Sequence, residues 1–307
     1  MFPVIEVDLQ RAEADEPLGT KRKFWFTNDQ GRRVLFKAEE RGTGEDWAEK
    51  IACELAKLLG LPHVHYDLAK EIPSGKPGVI CETIISPLQS LVPGNLLLLA
   101  RDPCYPAGVG NKFKVRAHTV EAVAQVLANL APPPATDDCS KLPDGVRTAL
   151  DVFVGYVLLD AWIANQDRHH ENWAAIQDGD QLFLAPTFDH GASLARNLTD
   201  EERQERLTTR DGNRQIPAFV RKARSAFYGS DADAKPLSTF AAWIAFAQRS
   251  PPAAAVWLEQ LRIIKVEKLR ALLEEVPPAR LSEVGRKFTL ALLHENQNRL
   301  LEESPHG

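Results

Sequence analysis

Positive charge is not in excess in this chain of 307 residues. Lys and Arg number 37 against 42 Asp and Glu, and the formal net charge is −5. Nothing therefore predicts a bulk affinity for nucleic acid or for an anionic membrane surface. Cysteine is scarce: Cys53, Cys81, Cys104 and Cys139 are widely spaced, form no CxxC pair and have no histidine cluster at zinc spacing. That pattern excludes a disulfide framework and a zinc ribbon, and fits reduced, mostly buried thiols in a cytoplasmic protein. No apolar run reaches the roughly 18 residues a membrane helix needs. The acidic N-terminus MFPVIEVDLQRAEADE has no h-region, so no signal peptide is expected. There is no GxxxxGK[ST], which disfavours a P-loop NTPase, and no GxGxxG or internal repeat. What remains is an ordinary globular composition, long enough for one large domain or two lobes.

The informative stretch is 158–193. An apolar run from Val152 to Ile163 reads as the end of a buried helix. The polar turn Asn165-Gln166-Asp167-Arg168-His169-His170-Glu171-Asn172 follows. A short hairpin then leads to Phe188-Asp189-His190-Gly191. Asp167, Asn172 five positions later and Asp189 seventeen after that have a joint chemical reading. An aspartate in a rigid loop can orient a hydroxyl for in-line attack, while an asparagine and an aspartate across a hairpin hold Mg²⁺ against the phosphates of ATP. Magnesium accepts one or two carboxylates plus phosphate oxygens and water, so this small donor set is sufficient. Any one of these residues equally fits a polar surface turn; the three in this order argue against that.

The first ~85 residues read β-β-α-β-β. An edge strand at Val4–Val7 precedes a hairpin of Phe24–Phe26 and Val34–Ala38. The clearest helix, from Glu45 to Gly60, buries Trp47, Ile51, Leu55, Leu58 and Leu59 on one face. Strands are expected at His63–Leu68 and Gly78–Ile85. Residues 86–117 are rich in Pro and Gly and read as hinge and connecting loops. Residues 118–307 read as a mostly helical lobe, with helices at Thr119–Leu130, Val146–Ala164, Leu237–Gln248, Ala253–Glu275 and Leu281–Glu303. The charged segments Thr199–Thr209 and Arg210–Arg214 read as mobile. The fold class is thus α+β in two lobes: a small antiparallel β lobe with one helix, and a larger helical lobe.

Lys37 sits in the apolar strand Val34–Ala38, where an unpaired ammonium would be costly. The next helix offers Glu45, Glu49 and Glu54 as partners. A helix carboxylate that aims a strand lysine at nucleotide phosphates is one reading; an alternating strand with Lys37 facing solvent is the other. The turn Leu18-Gly19-Thr20-Lys21-Arg22-Lys23 combines a glycine with cations, and reads either as a phosphate-covering loop or as a basic hairpin tip.

At these residues the sequence resembles the HipA-like serine/threonine kinases. NQDRHHENW followed by FDHG carries the likeness, and FKAEERGTGEDWAEKIACELAKLLGLP extends it upstream. The same D-R-H-x-x-N turn occurs in phosphoinositide 3- and 4-kinases. The resemblance implies a two-lobed protein-kinase-like fold that uses ATP and Mg²⁺. It implies Asp167 as the catalytic aspartate and Asn172 and Asp189 as metal ligands. Lys37, held by Glu49, would meet the phosphates, and Gly19, Thr20 and Lys21 would cover them. Cys81-Glu82-Thr83-Ile84 would be the hinge, with Glu82 and Ile84 at the nucleotide. His169 or His170 would support the loop or the phosphates, and Arg168 the loop or a phosphorylated group. A protein Ser or Thr is the expected acceptor, in a toxin-type kinase with an antitoxin-like regulator as partner. The family's phosphate loop carries a regulatory serine; this turn has Thr20 instead. Family members also carry an extra N-terminal subdomain, whereas this sequence starts almost at the kinase core.

Two other classes stay open at this stage. One is a lipid (phosphoinositide) or small-molecule kinase, with Arg203, Arg206, Arg210, Arg214, Arg221, Lys222 and Arg224 available to face a membrane. The other is a non-catalytic pseudokinase that only binds.

Overall fold

The computed structural model describes residues 1–15, 22–40, 42–108, 110–135, 139 and 141–304. The elements run β1 (Val4–Asp8), β2 (Ala14–Asp15), β3 (Lys23–Thr27), β4 (Arg33–Ala38), α1 (Glu45–Leu59), β5 (Asp67–Ile72) and β6 (Pro77–Glu82). These strands form one sheet in the order β1-β5-β6-β4-β3-β2. Only β1 and β5 pair in parallel; the other pairs are antiparallel. Phe24, Phe26, Val34 and Phe36 alternate inward from β3 and β4 and form a small core with Val7 and Ala69.

The chain then leaves this sheet through β7 (Gln89–Pro93) and α2 (Gly94–Arg101). Residues 86–117 are therefore not all connecting loop as expected: β7 pairs with a strand formed eighty residues later, and Leu97 and Leu98 of α2 are buried. Next come α3 (Val120–Leu127), α4 (Ala149–Trp162), β8 (Ala174–Asp178) and β9 (Gln181–Leu184). β7, β8 and β9 make a second, three-stranded antiparallel sheet. The helical remainder is α5 (Asp200–Thr208), α6 (Ile216–Val220), α7 (Thr239–Ala247), α8 (Pro251–Ile263), α9 (Val266–Glu274) and α10 (Glu283–Glu303). Among the described residues, no helix is long and apolar enough to cross a membrane.

α4 is the axis of the large lobe. From Val152 to Ile163 every side chain is buried, including Asp160. Each enclosed Val, Leu or Phe there contributes about 1.5–3 kcal/mol. A Cβ at Gly155 would meet Leu61 at 2.5 Å and Trp257 at 2.6 Å, so this glycine lets α8 close against α4. A capping box between Thr148 and Asp151 starts the helix.

Three expected elements differ. The strand expected at His63–Leu68 begins only at Asp67. The segment before it docks on the large lobe instead, where Val64 N–H donates to Thr187 O at 2.9 Å. The helix expected over Ala253–Glu275 breaks at Ile264, where the side-chain amide of Gln297 donates to the carbonyls of Leu261 and Ile264 at 2.9 and 2.8 Å. The segment expected to be mobile after Thr199 holds α5, started by a second capping box between Thr199 and Glu202.

Candidate active site

The polar turn after α4 is built on one buried ion pair. Arg168 Nε and Nη2 donate to Asp160 Oδ2 and Oδ1 at 2.8 and 2.9 Å. Arg168 is 1% exposed and Asp160 3%. Its other contacts reach the two chain segments that matter: Nη1 donates to Asn172 O at 2.9 Å, and Nη2 meets His190 Nε2 at 3.0 Å. Arg168 therefore holds the loop. Ala164, in the left-handed region at φ 52, turns the chain out of α4. Asn165 then clamps the start, donating to Asp160 Oδ1 at 2.8 Å and accepting Asp167 N–H at 3.1 Å. Asn172 closes the loop by donating Nδ2 to Asp167 O at 2.7 Å. That orientation leaves Asn172 Oδ1 as the atom a cation could meet. Asp167 keeps a quarter of its side chain exposed, at 26%.

The two lobes meet on Glu49. Its Oε2 lies 3.3 Å from Lys37 Nζ and accepts Gly191 N–H at 3.1 Å; its Oε1 accepts His190 N–H at 2.6 Å. Lys37 Nζ also contacts Asp189 Oδ1. A Cβ at Gly191 would press on Glu49 Oε2 at 3.2 Å and Glu45 O at 3.3 Å, so α1 approaches this turn as closely as a glycine permits. Asp189 itself takes the left-handed conformation, φ 59. Burial alone would push the Lys37 ammonium down, but Asp189 and Glu49 outweigh it and hold its pKa above the ordinary lysine value. Burial would likewise raise Glu49; Lys37 and His190 reverse that and lower it.

Of the residues that sequence reasoning singled out, Lys37, Glu49 and Asp189 meet directly, Asn172 bonds to Asp167, and Arg168 ties that loop to His190 beside Asp189. An apolar floor lies beside them, where Cys81, Ile84 and Phe188 pack on Val64, Tyr66 and Val79. Burial pushes the Cys81 thiol up to about 12, so it stays protonated. The Glu82 side chain points to solvent and pairs with Arg32 at 2.8 Å, which leaves only its backbone for a ligand. Gly19, Thr20 and Lys21 lie outside the described residues. Among the described residues no group of three or more His, Cys, Asp or Glu could hold a metal, so a cation here must take further oxygens from its ligand.

His170 does not face the cleft, contrary to its expected place at the nucleotide. It is fully enclosed, and its Nδ1 lies 2.8 Å from the Tyr105 hydroxyl. Beside it, His118 accepts the Trp173 indole N–H at 3.2 Å and meets Ala226 O at 3.0 Å. Burial lowers His118 to about 3 and His169 to about 4, and it lowers His170 as well. These rings are neutral supports beneath the loop.

Sequence reasoning missed Asp160, His190 as a coupling residue, and Arg196. Asp160 left a readable signal, a carboxylate inside an apolar helix that must have a partner. Arg196, on the segment after Gly191, reaches back to Glu45 and Thr43 at the start of α1.

No family model matches the sequence, and no curated protein does. Solved structures do. The crystal structure of the Helicobacter pylori proinflammatory kinase CtkA superposes with a TM-score of 0.74, over 99% of this chain and 97% of that one, at 17% identity. HipA of Shewanella oneidensis MR-1, solved with HipB and its operator DNA, superposes with a TM-score of 0.53 at 14% identity. That match covers 94% of this chain and 65% of HipA. At such identities the likeness is one of fold, and the chain has the HipA-like kinase fold.

Proposed function

We propose that this protein is an ATP- and Mg²⁺-dependent phosphotransferase that modifies a Ser or Thr hydroxyl of a protein. The observation that carries the reading is the buried junction of Lys37, Glu49 and Asp189. A lysine held between a helix carboxylate and the aspartate of the post-hairpin turn has little structural use by itself. It is the arrangement phosphoryl transfer needs.

In this reading Glu49 holds Lys37 toward the phosphates and, through the N–H groups of His190 and Gly191, fixes the turn that carries Asp189. The residues fit magnesium: Asn172 Oδ1 is oriented by the bond its amide nitrogen makes, and the Asp189 carboxylate is partly open. Magnesium bound there would neutralise charge developing on the transferred group. Asp167 orients the acceptor hydroxyl and takes its proton. The hydroxyl oxygen bonds to the γ-phosphorus as the bond to the β,γ-bridging oxygen breaks, and ADP leaves with that electron pair. Catalysis is mainly positioning and charge stabilisation in a partly closed cleft. The base of ATP would rest on the floor of Val64, Cys81, Ile84 and Phe188, with the backbone of Glu82–Ile84 as its polar edge. The small lobe is taken as 1–85, the connection as 86–117 and the helical lobe as 118–307.

The four free thiols support a cytoplasmic setting, and the likeness to HipA, solved with HipB, supports a search for an antitoxin-like regulator. The test of the function is incubation with γ-labelled ATP, Mg²⁺ and a lysate, wild type against Asp189→Ala, alongside calorimetric titration of Mg-ATP. Labelling of a protein by the wild type alone supports the reading. Absence of Mg-ATP binding sinks it.

A further inference from the structure

Two cavities meet at Gln166, the exposed residue immediately before Asp167. The larger, about 490 Å³, extends past Phe113, Arg224, Ser225 and Pro236. The smaller, about 190 Å³, lies toward Phe219 and Lys222. Gln166 and Asn197 line both, so they form one groove running across the catalytic loop. In a chain with more acidic than basic residues, no Asp or Glu among the described residues lines either cavity, while Arg196, Arg224 and Lys222 do. Arg196 is engaged with Glu45 and Thr43. The other two cations are exposed, and neither has an ion pair among the described residues. Arg224 donates only to the Pro236 carbonyl, at 3.3 Å. Phe113 is half exposed at the mouth, edge-on to His169 at 5.8 Å, and its carbonyl accepts the Tyr228 hydroxyl at 3.1 Å. This is a fixed apolar contact in the larger cavity, with one cation lacking an ion pair among the described residues in each of the two cavities that share Gln166.

We propose that this groove selects the acceptor as an extended acidic protein segment. The Ser or Thr lies over Gln166 beside Asp167. A carboxylate in the larger cavity meets Arg224, and a carboxylate in the smaller meets Lys222. The inference rests on the phosphotransfer reading and adds the substrate class. A membrane headgroup fits less well. The two cations line different cavities, Arg224 the larger and Lys222 the smaller, which suits two carboxylates along a chain better than one headgroup. Among the described residues, Phe113 is also the one large apolar side chain lining the groove that stands exposed, too little to insert into a bilayer.

The test uses three synthetic peptides with a central Ser, flanked on both sides by Glu, by Ala or by Lys. They are assayed at low and high salt with wild type, Arg224→Glu and Lys222→Glu; Arg262→Glu, on the remote helix α8, is the control. Rim ion pairs of this kind change affinity by about 3- to 5-fold each. The Glu peptide should therefore exceed the Ala peptide roughly 10-fold in kcat/KM, chiefly through KM. Each reversal at the groove should erase its share and favour the Lys peptide, Arg262→Glu should not, and high salt should shrink every difference. Equal use of the three peptides, or a preference that survives both reversals, overturns the proposal while leaving the kinase reading intact. So does preferential labelling of phosphatidylinositol in phosphatidylcholine vesicles. If nothing is labelled although Mg-ATP binds, the fluorescein-labelled Glu peptide decides: absence of salt-sensitive binding overturns the proposal. Failure to bind Mg-ATP removes the kinase reading, and this inference with it.

Discussion

Glu49 and His190 are 141 residues apart, yet Glu49 Oε1 accepts the backbone N–H of His190 at 2.6 Å. The other oxygen of the same carboxylate faces Lys37 at 3.3 Å. One side chain on α1 thus fixes both the strand lysine and the turn that carries Asp189. Removing it leaves a buried ammonium with half its charge compensation and two buried N–H groups without an acceptor. Glu49→Ala should lower unfolding stability by about 3 kcal/mol, the cost of breaking a buried pair from one side. Glu49→Gln should cost less, since an amide oxygen still accepts an N–H, but it should weaken Mg-ATP binding nearly as much. Urea unfolding and calorimetry on the two variants separate the effects. Equal stability loss in both would show that the hydrogen bonds contribute nothing beyond the charge.

Asp167, Asn172 and Asp189 were legible because their chemistry and order sit in a local pattern, and Lys37 because a lysine in an apolar strand needs a reason. The helix caps were legible in principle: Thr199 and Glu202 have capping-box spacing, yet the strong charge of that segment masked it. Other features depend on distant partners. Nothing near His63 shows that Val64 will bond to Thr187 in place of a neighbouring strand. Nothing between Ala253 and Glu275 announces that Gln297 will take the carbonyls at Ile264. His170 was misplaced because the family resemblance alone put it at the nucleotide, and nothing in the local sequence marks its burial. Its partner Tyr105 lies 65 residues upstream, in a stretch expected to be loop.

The neutral histidines make stability depend on pH. His118 and His169 fall from 6.5 in the unfolded chain to about 3 and about 4 in the fold. A base with a depressed folded pKa binds its proton more readily when unfolded. Its contribution is therefore fully present above about 6.5 and is lost as pH falls from there toward the folded value. Each such group changes stability by up to about 1.4 kcal/mol per pH unit in that window. Urea midpoints should be flat from pH 8 to 7 and fall steeply from pH 6.5 to 5. His118→Gln should start lower but show a shallower slope; an unchanged slope would mean His118 is not among the groups that titrate on unfolding.

Arg168 and Asp160 should be intolerant of one-sided change. Arg168→Ala strands Asp160 inside an apolar helix, and it releases both the Asn172 carbonyl and His190. A loss of about 3–5 kcal/mol is expected. Arg168→Lys should recover little, because a single ammonium cannot make the two parallel bonds to Asp160 while also reaching Asn172 and His190. Differential scanning calorimetry of the two variants tests this, and a lysine variant melting near wild type would refute the two-point geometry as the cause.

Asp167 and Asp189 should fail in different ways, and the difference tests their assignment. Asp167 is partly exposed, is held by its backbone, and touches neither Lys37 nor Glu49 in the hydrogen-bond network. Asp167→Ala should therefore leave the fold and Mg-ATP affinity near wild type and lower the transfer rate by about 10²- to 10⁴-fold, the usual weight of a positioned general base. Asp189 contacts Lys37 and carries the carboxylate assigned to the metal. Asp189→Ala should weaken nucleotide binding in the presence of Mg²⁺ and have a much smaller effect in EDTA. Asp189→Asn keeps the shape and a neutral oxygen, so it should sit between the alanine variant and wild type, with activity partly restored at high Mg²⁺. Two results would reverse the roles argued for the pair. One is a magnesium-independent defect in Asp189→Ala; the other is loss of Mg-ATP binding in Asp167→Ala.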